Sequence, residues 1–470
     1  MSGSALNHTF GWGSIARLGL VQACLGAIVV LTTSTLNRVM VVELALPALL
    51  PGALVALHYL IQVVRPRMGH GSDVGGRRTP WMIGGMAALA VGGVTSAAAT
   101  VWMSSQIAAG IALAVIGFSL IGLGVSACGT SLLVLLAKRV PETRRAAAAT
   151  IVWMMMIVGF AVTAGVAGKL LDPYSPQRLL AVTSCVSAIA FVVTLLALWR
   201  LEPAAGSDPT AAHPDASQTR AVPFKQALAQ VWQDSAARRF TIFVFVSMLA
   251  YSSQDLILEP FAGSVFGYTP GQSTQLSGVQ HGGVLLGMLL VAVAGSGVLG
   301  RLMVRLGMRQ GADRMGSLRI WTVGGCLASA LALAGLVMAG LLAGAWPLAA
   351  TVFLMGAANG AFSIAAIGSM MTLAGQGETS REGIRMGLWG AAQAVAFGLG
   401  GIVGTGASDL ARWLIGATGP AYAAVFAFEA VLFVVAAWLA SSIGAVRQSD
   451  PVVAEVDRSR QPGVPVLSVQ

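Results

Sequence analysis

The chain has 470 residues, of which 56% are hydrophobic and only 10% are charged. An ordinary soluble domain has about 25% charged residues, so this composition offers too little polar surface for a water-soluble globule of this size. The formal net charge is +10, yet the basic residues form no tract interleaved with aromatic residues, and there is no zinc-finger spacing. We therefore expect an integral membrane protein whose main partner is the lipid bilayer, and we expect no nucleic-acid partner.

Long apolar runs predict the fold class. A bilayer core of about 30 Å needs roughly 20 apolar residues per helix. Twelve such runs occur, six before and six after a polar stretch: 17–40, 48–65, 81–101, 108–137, 147–168, 178–200, 240–258, 279–300, 318–343, 347–374, 386–407 and 420–442. We predict an all-α membrane protein of about twelve transmembrane helices.

The same pattern predicts the division of the chain. Residues 1–200 form an N-terminal six-helix half and residues 238–446 a C-terminal six-helix half, joined by a cytoplasmic linker at 201–237. The linker is predicted to hold a short amphipathic helix near 224–231, and the polar tail 447–470 to be disordered.

An internal repeat relates the two halves. A Glu-Thr pair is followed at equal spacings by Arg and Trp in each half: Glu142, Thr143, Arg145 and Trp153 in the first, Glu378, Thr379, Arg381 and Trp389 in the second. Two six-helix halves in parallel repeat are typical of transporters that rock about a site near the membrane midplane.

The placement of Lys and Arg predicts the orientation. Of the 28 basic residues, 24 fall in the even-numbered loops, the linker and the termini, and the other four are Arg38, Lys169, Arg178 and Arg412. The positive-inside rule then places both termini in the cytoplasm. No cleavable signal peptide is apparent, so the first apolar run is expected to be a retained helix.

The loop after the second helix is similar to the signature loop of the major facilitator superfamily. The matching residues are Gly69, Ser72, Asp73, Gly76, Arg77 and Arg78. Glycines allow a tight turn there, and Asp73 would cap a helix or pair with a basic group, forming a cytoplasmic latch. The alternative is an ordinary charged loop with turn glycines.

Polar residues near the outer ends of the first and seventh helices are a candidate outer gate or polar site. They are Asn37, Arg38 and Glu43 on the first, and Gln254, Asp255 and Glu259 on the seventh. We expect Arg38 to pair across the halves with Asp255 or Glu259; the alternative is a solvated loop edge. The membrane core is otherwise expected to be nearly free of charge, which favours an apolar substrate or no transport.

Two histidines lie at similar places in the halves, His58 in the second helix and His281 in the eighth. A membrane imidazole is costly unless it is paired or ligates a metal. Each is a candidate axial ligand for the magnesium of a chlorin, and the alternative is a hydrogen bond to a backbone carbonyl or neighbouring Ser. The four cysteines lie widely spaced in apolar runs, so we expect packing residues and no protein metal site.

The N-terminal part carries a family resemblance, in the residues Thr35 to Leu44, Pro47, Pro51, Arg65, Pro66, Thr79, Pro80 and Trp81. It resembles the PucC and LhaA group of purple phototrophic bacteria, the bacteriochlorophyll delivery family of the major facilitator superfamily. The resemblance implies a membrane factor of the intracytoplasmic photosynthetic membrane that binds or delivers bacteriochlorophyll, or late precursors, during light-harvesting complex assembly. It implies antenna polypeptides and the pigment synthase as partners, and bacteriochlorophyll as a bound ligand with no covalent cofactor.

Two other functions stay open. One is secondary transport of a small solute, and the other is a subunit role in bacteriochlorophyll synthesis. We expect no catalytic residues in this chain, because it has no Asp-rich, magnesium-binding diphosphate site of the kind that a prenyl-transferring synthase needs.

Overall fold

The computed structural model describes residues 10–62, 77–202, 232–295, 317–342, 344, 346–375 and 382–443. Within these ranges the regular structure is helical and includes no β-strand. The helices are α1 Trp12–Glu43, α2 Leu49–Ile61, α3 Thr79–Met103, α4 Ile107–Arg139, α5 Glu142–Leu170, α6 Pro176–Leu198, α7 Ser235–Phe266, α8 Pro270–Gly295, α9 Leu318–Leu342, α10 Leu348–Gly375, α11 Glu382–Ile415 and α12 Thr418–Ile443. The predicted all-α class is confirmed. The linker helix expected near 224–231 and the tail from 447 lie outside the described residues.

The outer surface of the bundle is apolar. Of the described helices, 11 are long and apolar enough to cross a membrane, and α2 is a shorter apolar helix. Leu331 is 75% exposed and Trp413 is 80% exposed, as expected for side chains that face hydrocarbon. Exposed tryptophans lie near helix ends at both faces of the bundle, the pattern of an interfacial aromatic belt: Trp12, Trp102, Trp199, Trp232 and Trp413. The chain is a multi-pass membrane protein.

Helix α7 extends beyond the predicted apolar run at both ends. The seventh run was predicted at 240–258, whereas α7 spans Ser235–Phe266. Its first turn is capped by Asp234, whose carboxylate accepts hydrogen bonds from the backbone N–H groups of Ala236 and Ala237. It ends at Gly267, which has φ of +70°, a conformation that favours glycine.

Helix α1 is irregular in its second half. After Val30 two π-helical segments, Leu31–Thr35 and Val39–Glu43, flank a short α-helical stretch. The backbone N–H of Leu36 bonds the carbonyl of Leu31, five residues back, and the N–H of Leu44 bonds that of Val39. Such widened turns often occur at functional sites, and here they place polar side chains of α1 against the other half.

The two sets of six helices share one packing plan. In the first set α1 packs on α5 and α6, α3 on α4 and α6, and α2 on α4. In the second set α7 packs on α11 and α12, α9 on α10 and α12, and α8 on α10. The sets meet where α5 packs on α8 and α2 on α11, and where α1 contacts α7 and α8. The helix pairing repeats between the sets, as the sequence repeat predicts.

The sets make close backbone contacts near one face, called here the far face. It is the face opposite residues 10 and 443, and it carries the α1–α2, α5–α6, α7–α8 and α11–α12 connections. A Cβ atom on Gly168 of α5 would lie only 2.6 Å from the backbone oxygen of Gly271 in α8, and a Cβ on Gly52 of α2 would overlap the Thr405 hydroxyl of α11. Glycine at these two crossings lets the helices touch backbone to backbone.

Candidate functional site between the two halves

The π-helical part of α1 forms a polar contact with α7 and α8. The hydroxyls of Thr35 and Thr274 are 2.9 Å apart, and those of Ser34 and Ser277 are 3.3 Å apart. The Asn37 side-chain amide donates to the backbone oxygen of Leu256 at 2.5 Å. All these hydrogen bonds join the first half to the second, so α1 is the element that assembles the site.

Arg38 links the halves, but not in the predicted way. Its side chain is 2% exposed, and its Nη1 forms an ion pair with Glu43 at 2.5 Å. Its Nη2 donates to the backbone oxygen of Tyr268, in the α7–α8 connection, at 2.6 Å. The predicted ion pair of Arg38 with Asp255 or Glu259 was wrong. The widened turn of α1 places Glu43, five positions ahead, next to Arg38, so Glu43 forms the ion pair. The contact of Arg38 with the other half is then made to the backbone carbonyl of Tyr268.

Asp255 and Glu259 lie one turn apart on α7, on the side that faces α8. Gln280 donates from its side-chain amide to Asp255 at 3.1 Å, and the Ser273 hydroxyl donates to Glu259 at 3.3 Å. Glu259 is 1% exposed, and its Oε1 makes no hydrogen bond with any described residue. Because Glu43 is paired with Arg38, Asp255 and Glu259 are the acidic groups of this site that have no ion-pair partner in the described part of the chain.

Gln254 does not belong to this site, although it is adjacent to Asp255 in sequence. The core-facing residues of α7 in the second half include Ala250, Leu258 and Phe261. Gln254 falls on that stripe by helical spacing, and its side chain is 0% exposed. Its role in an outer polar site was therefore predicted wrongly, because a one-residue step rotates a helical side chain by about 100°.

His281 and His58 differ in their hydrogen bonds. The Nδ1 of His281 is 2.8 Å from the backbone oxygen of Ser277. A carbonyl oxygen can only accept, so Nδ1 carries a proton, and in the neutral form of the ring the lone pair is then on Nε2. The ring edge of His281 meets Phe160 of α5, with ring centroids 4.9 Å apart. His58 instead has its Nε2 2.9 Å from the Gln62 amide nitrogen, which donates to it, so that lone pair is already used.

Two acidic residues that the sequence analysis did not single out join the halves at the far face. Asp409 of α11 accepts hydrogen bonds from the backbone N–H groups of Ala48, at 3.1 Å, and Leu49, at 2.8 Å, at the start of α2. Asp172, just after α5, accepts from the Thr269 hydroxyl at 2.7 Å, just before α8. The internal repeat could have pointed to this pair. Asp172 and Asp409 are 237 positions apart, close to the 236 positions that separate Glu142 from Glu378.

The predicted cytoplasmic latch falls mostly outside the described residues. Gly69, Ser72, Asp73 and Gly76 are not described, whereas Arg77 and Arg78 lie immediately before α3. The start of α3 is capped by Glu202, which follows α6 and is 8% exposed. Its Oε2 accepts from the backbone N–H groups of Arg78 at 2.9 Å and Thr79 at 2.6 Å, and from the Thr79 hydroxyl. A carboxylate from the segment that follows α6 therefore caps the helix that this loop leads into.

The sequence profile of the PUCC protein family matches residues 35–448. The chain belongs to this family. It is 52% identical over 440 residues to the Bacteriochlorophyll synthase 44.5 kDa chain of Rhodobacter capsulatus, covering 93% of this chain and 97% of that relative. It is 30% identical over 451 residues to Protein PucC of Rhodobacter capsulatus, covering 90% of each. The resemblance predicted from residues 35–81 is confirmed.

Solved structures agree on the fold of this PUCC family member. A D-xylose–proton symporter superposes with a TM-score of 0.64 at 15% identity, covering 91% of this chain and 97% of that one. The nucleoside transporter NupG superposes with a TM-score of 0.63 at 16% identity, covering 92% and 99%. At these identities the likeness shows the fold alone, which is the predicted major facilitator arrangement.

The expectation of a core nearly free of charge has one exception in the described part of the PUCC family chain. Glu429, near the middle of α12, is 0% exposed. It is a lone acidic residue in an apolar run, and the sequence analysis passed over it because no basic residue or motif accompanies it.

Proposed function

We propose that this PUCC family chain is a membrane assembly factor that binds or delivers bacteriochlorophyll, or its late precursors, during assembly of light-harvesting complexes. The observation that carries this proposal is the 52% identity, over nearly the whole of both chains, to a relative named for bacteriochlorophyll synthesis. Membership of the family that includes PucC proteins supports it.

His281 is the residue best arranged to hold such a pigment. Histidines that ligate metals usually donate their other ring N–H to a carbonyl or carboxylate, which fixes the tautomer and the ring orientation. His281 does so through Ser277, and its Nε2 makes no hydrogen bond to any residue in the described ranges. The Phe160 ring from the other half adds an aromatic wall, suited to a flat macrocycle. The pigment would bring the magnesium, and the chain would supply the imidazole. His58 is the second candidate, since Gln62 occupies its Nε2.

The proposal extends to location and organisation. Residues 1–200 and 238–446 act as two moving halves joined by a cytoplasmic linker at 201–237, with a tail from 447. The bias of basic residues supports cytoplasmic termini in the bacterial inner, intracytoplasmic photosynthetic membrane. Antenna polypeptides and the pigment synthase are the proposed protein partners.

A pigment-binding test separates the roles of the two histidines. The protein is purified from a bacteriochlorophyll-making host, and bound pigment is quantified by absorption and mass spectrometry for the wild type, His281→Ala and His58→Ala. We expect stoichiometric pigment in the wild type and in His58→Ala, and loss of most of it in His281→Ala. A wild-type protein free of pigment, together with normal antenna levels in a deletion strain, would refute the proposal.

Secondary transport is the second candidate function. Asp255 and Glu259 at the interface between the halves favour it, because acidic groups inside a membrane bundle often mark ion pathways. A transporter should move a small solute across proteoliposomes and lose that activity in Asp255→Asn or Glu259→Gln. A pigment factor should show pigment binding with no solute flux.

We also propose that the chain is not itself the catalyst of pigment esterification, and works beside the synthase or as a subunit of that machinery. Support comes from membership of the family that includes PucC proteins and from the fold, which the chain shares with solved membrane transporters. Esterification of a bacteriochlorophyllide by the purified chain alone would overturn this.

A further inference from the structure

Four helices of the second half each place one polar side chain in its core. They are Gln254 on α7, Ser329 on α9, Asn359 on α10 and Glu429 on α12, and each is 0% exposed. The residues spaced along the same helical faces belong to the apolar core: Ala250 and Phe261 on α7, Cys326 and Leu333 on α9, Met355 and Phe362 on α10, and Phe426 and Phe433 on α12. The four polar residues therefore point into the interior of this half, away from the interface site.

Aromatic contacts put these side chains in one layer. On the far-face side, Phe261 of α7 packs on Phe426 of α12 with ring centroids 5.0 Å apart. On the other side, Phe362 of α10 packs on Phe433 of α12 at 5.5 Å and on Tyr251 of α7 at 6.4 Å.

Each polar residue falls between these two aromatic layers. Glu429 lies between Phe426 and Phe433 along α12, and Gln254 lies between Tyr251 and Phe261 along α7. Asn359 is one turn from Phe362 on the far-face side, and Ser329 binds it directly. The Ser329 hydroxyl donates to Asn359 Oδ1 at 2.8 Å.

The remaining polar atoms of the layer lack protein partners among the described residues. These atoms are both side-chain polar atoms of Gln254, the amide nitrogen of Asn359 and both carboxyl oxygens of Glu429. Such atoms are costly in a dry core, and an ionised carboxylate without a cation is far more costly. Unpartnered donors and acceptors at the same depth of one helical core are suited to internal water, which needs two to four polar partners.

The charged groups on the surrounding helices are engaged elsewhere. On α7, Asp255 and Glu259 face α8. On α11, Arg412 pairs with Asp409 near the far face, and on α9, Arg319 bonds the backbone oxygen of Ser441 at the opposite end of the half. The other titratable groups near the layer, Tyr251, Tyr422 and Cys326, are ordinarily uncharged. Arg238 and Arg239 lie at the start of α7, about 20 Å of helix rise from Gln254. No described cation therefore reaches Glu429.

We propose that Glu429 is a proton-binding site, a neutral carboxylic acid that shares internal water with Gln254 and Asn359 inside the second half. This site is separate from the interface between the halves and does not depend on pigment binding. Helix α7 separates the proton site from the interface between the halves. Gln254 faces the proton site, while the next residue, Asp255, faces the interface.

Infrared spectroscopy of the protein in lipid tests the proposal directly. The wild-type-minus-Glu429→Gln difference spectrum should contain the C=O band of a protonated carboxylic acid, shifted in D2O. Glu429→Gln should keep the wild-type melting temperature, because an amide imitates the neutral acid in shape and hydrogen bonding. Asp409→Asn is the matched control, and its difference spectrum should show an ionised carboxylate instead. A carboxylate signal at Glu429 would overturn the proposal.

A second measurement needs only the wild type. A neutral acid gives stability that falls as pH rises into the alkaline range, since ionisation places a bare charge in the core, and that stability should not depend on sodium. Wild-type melting temperatures in sodium and choline buffers, from neutral to alkaline pH, check both points. Stabilisation by sodium would identify a cation site and reject the proton site.

Discussion

Asp172 and Asp409 occupy corresponding places in the two halves, and each binds the start of a helix in the opposite half. Asp409 caps α2 through the backbone N–H groups of Ala48 and Leu49, and Asp172 binds Thr269, the residue before α8. Together with the Arg38 contact to Tyr268, these bonds tie the halves at the far face. The structure is thus closed on the far face by paired polar contacts, and a rocking motion must break them.

Removal of the aspartate contacts should favour opening of the far face. In Asp172→Ala/Asp409→Ala, loss of the Asp409 cap should cost about 0.5–2 kcal/mol, and the Thr269 hydroxyl loses its bond to Asp172. A cysteine at position 274 reports the opening, because Thr274 is 1% exposed and lies between α1 and α8. In a background without the four native cysteines, Thr274→Cys should react faster with a membrane-impermeant maleimide in the double variant.

The control for this experiment is Arg178→Gln, which removes a charge that binds only a local carbonyl, that of Pro173, on the same face. It should leave the labelling rate unchanged. Equal labelling of Thr274→Cys with and without the two aspartates would show that these contacts do not hold the face closed.

Arg38 should be worth more to stability than a surface charge. Its guanidinium is 2% exposed and satisfies both the Glu43 carboxylate and the Tyr268 carbonyl. Breaking a buried pair by removing one partner costs about 3–5 kcal/mol. We expect Glu43→Gln to lower the melting temperature strongly, because it leaves the 2% exposed Arg38 without a counter-charge, and Arg38→Met to lower it less, because the Glu43 left behind is 34% exposed and can be hydrated.

The double variant Arg38→Met/Glu43→Gln separates the ion pair from the carbonyl contact. The double variant should regain part of the melting temperature that the single variants lose. The loss that remains measures the hydrogen bond from Arg38 to the Tyr268 carbonyl. If Arg38→Met melts like the wild type, the guanidinium has no structural role at the interface.

The fold was predictable because its signal is distributed over the whole chain. Twenty-residue apolar runs give one helix each, and the spacing shared by Glu142 and Glu378 indicates two related sets. The polar site was predictable only in part. Asn37, Arg38, Asp255 and Glu259 do lie at the interface, because buried polar residues in apolar runs face protein rather than lipid.

The pairing of Arg38 could not be predicted, because it depends on the π-helical turns of α1. An ordinary helix places i+4 rather than i+5 beside a residue, so the proximity of Glu43 follows only from the observed backbone. The positions of Gln254 and Glu429 could not be predicted for a related reason. The rotation of a helix about its axis decides which site a polar residue joins. A helix that is apolar on every face gives no sequence signal for that rotation.

Glu202 should stabilise the start of α3 by capping it from the end of α6. It accepts two backbone hydrogen bonds and one hydroxyl bond from Arg78 and Thr79. Glu202→Ala leaves these buried donors without that acceptor, so we expect a loss of about 1–3 kcal/mol and a lower melting temperature. Glu202→Gln keeps a carbonyl oxygen and should lose less; an equal loss in both variants would mean that side-chain packing, rather than the cap, is responsible.

The contact of α2 with α11 should tolerate no side chain at position 52. A Cβ atom on Gly52 would overlap the Thr405 hydroxyl and lie 3.0 Å from the backbone oxygen of Gly401. Overpacking of this kind costs about 1–3 kcal/mol, so Gly52→Ala should lower the melting temperature.

The compensating variant shows whether the contact itself is the cause. Gly52→Ala/Thr405→Ala removes the overlapping hydroxyl and should recover much of the loss. Gly84→Ala, at an exposed helical position with nothing within 4 Å of the new Cβ, should be neutral or stabilising, since alanine favours helices over glycine. If Gly52→Ala behaves like Gly84→Ala, the two halves do not approach each other as closely in the membrane as they do here, and the far face is open.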